Sequence, residues 1–202
     1  MADLYEFDAA FRGGNNDFLL CGVDEAGRGP LAGPVCCAAC ILPPGFELPM
    51  LNDSKKLSEK KREQLYDPII QNALYYSIVM VDEKEIDTIN ILNATMKGMA
   101  QAVSSLGVRP DLVLIDGNRC PDMDVPAKYV IGGDAKSASI AAASILAKVT
   151  RDRYMVQLAE KYSGYGFEKH KGYGTKVHYQ AIEELGITPA HRLTFLKKVL
   201  NK

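Results

Sequence analysis

Residues 19–30 carry the sequence LLCGVDEAGRGP, in which an apolar run ends in two adjacent carboxylates. The run has the length of a buried strand, and a Gly-Arg-Gly turn follows Asp24 and Glu25 almost at once. Carboxylates at the mouth of a buried strand are costly unless a cation lies beside them. Glycines let the backbone approach a ligand closely, and Arg28 offers a planar donor fork that suits phosphate. The stretch predicts a metal site beside a phosphate-binding turn, with a solvated acidic strand end as the alternative.

The composition is that of one ordinary globular domain. The chain has 202 residues, of which 47% are hydrophobic and 24% charged, so it can bury a core without a structural metal or disulfide. No apolar run approaches the roughly 18 residues of a membrane span, and residues 1–16 lack a signal-peptide pattern. Four of the five cysteines lie in or beside apolar runs, which favours reduced, buried thiols. We therefore expect a cytoplasmic monomer with no membrane partner.

The charges are unevenly distributed along the chain. Residues 148–202 carry eleven Lys and Arg against five Asp and Glu, whereas residues 1–147 carry thirteen against twenty. A basic flank beside an acidic site suits a polyanionic substrate that is gripped by its backbone. A charged surface helix is the alternative explanation, and the charge counts alone do not separate the two.

The apolar pattern predicts an α/β domain with a five-stranded mixed sheet flanked by helices and followed by a helical carboxy-terminal extension. Strands are expected at residues 18–25, 34–42, 74–81, 111–117 and 128–131. Helices are expected at residues 59–72, 89–106, 137–162, 176–185 and 193–200. The first three strands follow one another in short succession, and we expect them to form an antiparallel meander. These elements divide the chain into an amino-terminal segment (1–17), an α/β domain (18–162) and a carboxy-terminal loop and helical extension (163–202).

Four acidic residues lie at the ends of predicted strands: Asp24, Glu25, Asp116 and Asp134. If these strands lie side by side and parallel, their carboxylates meet at one edge of the sheet, where open α/β sheets bind ligands. Oxygen-only ligands favour hard cations such as Mg²⁺ or Mn²⁺, and such a cluster can hold two ions. Side chains alternate along a strand, so Asp24 and Glu25 reach one site only if the strand twists or ends there.

Five blocks of the sequence resemble, in order, the signature blocks of bacterial ribonuclease HII. They are DEAGRGPLAGPV at 24–35, DSKKLS at 53–58, LIDG at 114–117, GGDAKSASIAAASILAKVTRD at 132–152 and HKGYGT at 170–175. The resemblance implies a ribonuclease H-like fold, cleavage of the RNA strand in RNA–DNA hybrids, and incision 5′ to single ribonucleotides in duplex DNA. It also implies two-metal hydrolysis that leaves a 5′-phosphate and a 3′-hydroxyl.

Residue by residue, the resemblance places the family's acidic tetrad on Asp24, Glu25, Asp116 and Asp134. It places the sugar-reading turn on Gly27, Arg28 and Gly29, and the junction-sensing tyrosine on Tyr173. The remaining candidate substrate contacts are basic or hydroxyl side chains beside these blocks: Lys55, Lys56, Lys136, Lys171, Ser137 and Ser139. In HRLTF at 191–195, Leu193 stands where the family often has a further basic residue, which leaves the phosphate contact there open.

Plainer interpretations stand beside these assignments. The loop lysines can be simply solvated, and Tyr173 can be packing for its loop. The three histidines, His170, His178 and His191, are too far apart in sequence for a dedicated zinc set, and we expect local packing or a place near the nucleic acid. Two other functions remain open, a different nuclease of the same fold and a non-catalytic hybrid-binding protein. Intact carboxylates argue against the second, because without metal they repel a polyanion.

Overall fold

The computed structural model describes residues 4–51 and 57–197, and its centre is a five-stranded mixed sheet with the strand order β3-β2-β1-β4-β5. The strands are β1 (Leu20–Ala26), β2 (Val35–Ile41), β3 (Tyr75–Val81), β4 (Leu112–Asp116) and β5 (Ala127–Val130). β1, β2 and β3 form the expected antiparallel meander, while β4 and β5 lie parallel to β1. The carboxyl ends of β1, β4 and β5 therefore meet at one edge of the sheet.

Helices cover both faces of this sheet. They are α1 (Leu4–Arg12), α2 (Glu59–Asn72), α3 (Glu83–Ser104), α4 (Ala138–Lys161), α5 (Phe167–His170) and α6 (Lys176–Leu185). On one face Cys36, Ala38 and Cys40 pack against the alanines of α4, and on the other Cys37 and Ala39 pack against α3. β2 is thus buried on both faces, as its unbroken apolar sequence predicts.

The long helix α4 lies unusually close to β1. A Cβ atom at Gly22 would lie 2.1 Å from the carbonyl carbon of Ser139, so only glycine fits at this crossing. Small residues on the first turns of α4, most of them alanine, complete the close contact. This contact fixes α4 against the strand that carries Asp24.

Several elements differ from the sequence expectations. α1, which was not predicted, packs Phe7 and Phe11 near the core residues Leu20 and Ile140. α3 begins at Glu83 rather than residue 89, because Asp82 caps an extra stretch that ends at a kink at Asn90, where φ is +67°. α5 lies between the predicted helices 137–162 and 176–185, where no helix was expected.

The predicted final helix, 193–200, is also corrected. Its first residues, Leu193–Phe195, form a single 3-10 turn, and residues 198–200 lie outside the described residues. In the described ranges no helix combines the length and apolar character needed to cross a bilayer.

Candidate active site

Three aspartates meet at the edge of the sheet where the parallel strands end. Asp24 lies on β1, Asp116 ends the adjacent β4, and Asp134 lies in a 3-10 turn just after β5. One carboxylate oxygen from each lies within 4.8 Å of the other two. The turn is held in place because the Gly133 N–H donates to Asp116 Oδ1 at 2.6 Å. The strand-end argument therefore placed these three side chains correctly.

The electrostatics of this cluster favour a bound cation. Asp24 and Asp134 are each only 3% exposed. Burial raises the pKa of Asp24 well above its ordinary value, and the neighbouring Glu25 and Asp116 carboxylates raise it further. Like charges in a buried site are unfavourable unless a positive charge compensates them. A donor set made only of carboxylate oxygens fits a hard divalent cation such as Mg²⁺ or Mn²⁺.

Glu25 lies at the rim of the three-aspartate group, outside the 4.8 Å set, yet its carboxylate is close enough to raise the pKa of Asp24. The same carboxylate lies 3.6 Å from the Arg28 guanidinium. The Glu25 N–H donates to Asp24 Oδ1 at 2.7 Å, so its main chain contributes to the cluster. The structure therefore brings three of the four expected acids together.

The Gly27–Gly29 turn is held from below by the buried side chain of Arg192. Its guanidinium donates to three carbonyl oxygens, those of Gly27 at 2.6 Å, Arg28 at 3.0 Å and Gly33 at 2.8 Å. Arg192 has no exposed surface, and burial lowers the pKa of this guanidinium. All three nitrogens of the Arg192 guanidinium therefore donate inside the protein, and the phosphate contact left open at Leu193 stays open.

A second buried guanidinium, that of Arg151 on α4, lies directly under Gly27. A Cβ atom at Gly27, where φ is +96°, would lie 2.0 Å from Arg151 Nε, so a side chain cannot be accommodated. Arg151 donates to the carbonyls of Pro34 at 2.9 Å, Ala32 at 3.1 Å and Lys171 at 3.0 Å. It therefore links the segment after the turn to the loop that carries Tyr173.

Tyr173 forms a wall opposite the turn. The residue is 45% exposed, and its Cε1 lies 3.5 Å from the point where a Cβ atom of Gly29 would be. The loop joins the turn region through the Leu31 N–H, which donates to the Gly172 carbonyl at 2.8 Å. An exposed tyrosine thus lies next to the glycine that ends the turn, and the turn follows the strand that carries Asp24.

The other predicted contacts have different surroundings. Ser137 and Ser139 are fully buried, which corrects their expected contact with substrate. Ser137 caps α4 by accepting from the Ile140 N–H, and Ser139 donates its hydroxyl to Asp8 of α1. Lys136 is exposed, and Lys171 is mostly buried against Glu59 of α2. Lys55 and Lys56 lie outside the described residues.

Sequence reasoning missed the two buried arginines and the histidine cluster. Arg151 follows an alanine-rich stretch, and that apolar setting was the available signal for burial. His170, His178 and His191 lie together, with the rings of His170 and His178 stacked at 4.6 Å. Local packing was the correct expectation, and in the described part of the chain the candidate metal group consists of aspartates.

The chain is similar in sequence and in fold to known proteins. Residues 21–198 match the family described as Ribonuclease HII. The chain is 56% identical to a ribonuclease HII of Idiomarina loihiensis over 88% of this chain and 95% of that protein. It is 54% identical to a ribonuclease HII of Endomicrobium trichonymphae, covering 96% and 92% of the two chains. Among solved structures, the ribonuclease H2 of Pyrococcus horikoshii is similar with a TM-score of 0.71 and 28% identity, covering 87% and 92% of the two chains.

Proposed function

Because the chain belongs to the ribonuclease HII family, we propose that it cleaves the RNA strand of RNA–DNA hybrids and incises duplex DNA 5′ to a single embedded ribonucleotide. The products of this reaction carry a 5′-phosphate and a 3′-hydroxyl. The observation that supports the proposal best is the buried three-aspartate cluster, which lies at the end of the strand that leads into a turn with glycine at positions 27 and 29.

In this proposal Asp24, Asp116 and Asp134 hold the metal, and Glu25 completes the ligand set from the rim of the cluster. We propose that two ions of Mg²⁺ or Mn²⁺ bind there. When bound, they would supply the positive charge that activates water and stabilises the leaving oxygen. The protein keeps the cluster rigid, since the Gly133 N–H fixes Asp116 and the Glu25 N–H fixes Asp24.

The Gly27–Gly29 turn supplies the sugar selectivity in this proposal. The peptide bonds of the described residues are all trans, so each carbonyl and the N–H of the next residue point in opposite directions. Arg192 holds the carbonyls of Gly27 and Arg28, and the N–H groups of Arg28 and Gly29 therefore face away from it. A 2′-hydroxyl is the group by which a protein distinguishes RNA from DNA, and outward backbone groups can bind it closely.

Tyr173 packs on the deoxyribose that follows the ribonucleotide, and its hydroxyl reaches the scissile phosphate. Its exposed ring and its distance from Gly29 support this placement. Lys136, Lys171 and the two lysines outside the described residues, Lys55 and Lys56, contact phosphates further along the backbone. The five free cysteines support a reducing, cytoplasmic location, and we propose that the chain acts as a monomer.

The substrate class is tested with matched duplexes. One carries a single ribonucleotide, one is a long RNA–DNA hybrid, and one is DNA throughout, each with Mg²⁺ or Mn²⁺. We expect a nick 5′ to the single ribonucleotide, multiple cuts in the hybrid, and an intact DNA duplex. Mapping of the product ends should show 5′-phosphates and 3′-hydroxyls. Absence of the nick at the single ribonucleotide, with cutting of the hybrid retained, would remove the finer part of the proposal.

A further inference from the structure

We propose that His178 and His191 are positioning residues that hold the main chain of Tyr173 through a relay, a chain of hydrogen bonds in which each group donates to the next toward Tyr173. This inference rests on the function proposed above, because its consequence is expressed through Tyr173. The relay connects the loop at Thr188, two buried imidazoles and the wall of the active site.

The direction of the relay is fixed by a backbone donor at one end. The Thr188 N–H donates to His191 Nδ1 at 2.9 Å, so this nitrogen carries no proton. The proton of neutral His191 is then on Nε2, which lies 3.2 Å from Nε2 of His178. Because His191 donates there, His178 Nε2 accepts, and the proton of His178 is on Nδ1.

The relay ends at Tyr173. His178 Nδ1 lies 3.0 Å from the Tyr173 carbonyl oxygen, to which it donates. The same carbonyl accepts from the Thr175 N–H at 2.8 Å. His170 holds the other side of the loop, because the Gly172 N–H donates to its Nδ1 at 3.2 Å. The loop backbone is therefore fixed immediately before, at and after the exposed tyrosine.

The cluster is built to keep the imidazoles neutral. His178 has no exposed surface and His191 is 2% exposed, and the ring of Phe167 packs edge-on against His178 at 5.4 Å. Burial lowers the pKa of His178 to about 4 and lowers that of His191 as well. A proton on either ring would place two N–H groups head to head, or leave the Thr188 N–H without an acceptor.

Two substitutions at His178 separate the effect of its N–H donor on the Tyr173 carbonyl from the effect of the size of its side chain. His178→Asn keeps an N–H donor near the position of Nδ1, whereas His178→Gln places its amide near Nε2 and loses that donor. We expect kcat/KM for single-ribonucleotide incision to fall about tenfold in His178→Gln and less than about threefold in His178→Asn. Cleavage of a long hybrid should change less in both variants.

A double-mutant cycle with Tyr173→Ala shows whether His178 acts through the tyrosine. We expect the effect of His178→Gln to disappear when the ring is absent. Equal losses in both histidine variants, adding to the loss in Tyr173→Ala, would overturn the relay and leave the proposed function standing. An unchanged incision rate in Tyr173→Ala itself would instead overturn the role proposed for the tyrosine, and the inference with it.

The tautomers of the unaltered protein provide a test that does not depend on variant folding. The chain has three histidines, so ¹⁵N spectra of the imidazoles are simple to assign. We expect His178 as the Nδ1–H tautomer, and His170 and His191 as Nε2–H tautomers at neutral pH. An Nε2–H tautomer at His178 would overturn the relay.

Discussion

The three-aspartate cluster and the walls beside it are stabilised in opposite ways. The walls are the Gly27–Gly29 turn and the loop that carries Tyr173. Asp24, Asp116 and Asp134 bring like charges together in a buried place, and burial with these neighbours raises the pKa of Asp24. The walls are held by hydrogen bonds from the protein itself, because Arg192 and Arg151 together donate to six backbone carbonyl oxygens. The difference indicates that the cluster requires a cation from outside, whereas the walls are preorganised before substrate arrives.

The largest effect is expected where the cluster loses a charge. Asp116→Asn removes one negative charge from the proposed metal site while keeping the size of the side chain. We expect turnover to fall by at least about a thousandfold, because the proposed metal-assisted hydrolysis depends on this carboxylate. Binding of an RNA–DNA hybrid should persist, since the walls are unchanged. Measured activity close to that of the unaltered chain would show that Asp116 is not a metal ligand.

A methyl group on either end of the turn should have unequal consequences. Gly27→Ala meets the buried Arg151 side chain at a positive φ, and we expect a loss of about 3–5 kcal/mol in the free energy of unfolding. Gly29→Ala meets only the Tyr173 ring at an ordinary contact distance, so its stability should change by less than about 1 kcal/mol.

The matched Gly29→Ala variant also tests the sugar-reading role. It should fold normally but lose ribonucleotide incision, because the methyl group fills the opening between the turn and the tyrosine. Urea denaturation and the incision assay check the two variants together. Equal stability losses at both glycines would contradict the asymmetry between them.

Arg192→Lys should weaken the wall more moderately. One ammonium group cannot donate to three separated carbonyls as the planar guanidinium does, so we expect a loss of about 2–4 kcal/mol in unfolding free energy. Arg153→Lys on the same protein is the control, because Arg153 lies at the surface and pairs with Glu63. That change should cost less than about 1 kcal/mol. Similar losses in both variants would contradict the special role of the buried arginine.

The smallest effect is expected from the histidine cluster and depends on pH. Burial lowers the pKa of His178 from 6.5 to about 4, so between these values the unfolded chain binds more protons than the folded one. The contribution of this residue to the free energy of unfolding is therefore complete above pH 6.5 and is lost as the pH falls toward 4. Chemical denaturation at a series of pH values checks this. His178→Asn should show a shallower dependence, and an identical slope would contradict the assignment.

Much of the fold could be predicted from the sequence because its signals are local. Short apolar runs that end in a carboxylate and a glycine identified β1 and β4, and with them Asp24 and Asp116. The amino-terminal helix was missed because its stability comes from tertiary contacts, such as the Ser139 hydroxyl donating to Asp8, a bond between residues 131 positions apart.

The walls of the site were less predictable, for a physical reason. In sequence, Arg192 is indistinguishable from a surface cation, and Arg151 is marked only by the apolar stretch before it. Only the fold brings six carbonyl groups to the nitrogens of these two guanidinium groups. Ser137 and Ser139 were predicted as contacts because they lie beside a helix start, yet the helix cap and α1 bury them. The three histidines likewise meet only through the packing of α5, α6 and the loop before Arg192.

The contrast between the cluster and its walls is tested most directly by anomalous diffraction at the manganese edge, from crystals of the chain soaked in Mn²⁺ without nucleic acid. We predict manganese bound by Asp24, Asp116 and Asp134, with the Gly27–Gly29 turn and Tyr173 in the positions described above. Manganese bound elsewhere, or a turn and tyrosine loop that move to a new arrangement when the metal binds, would contradict the account.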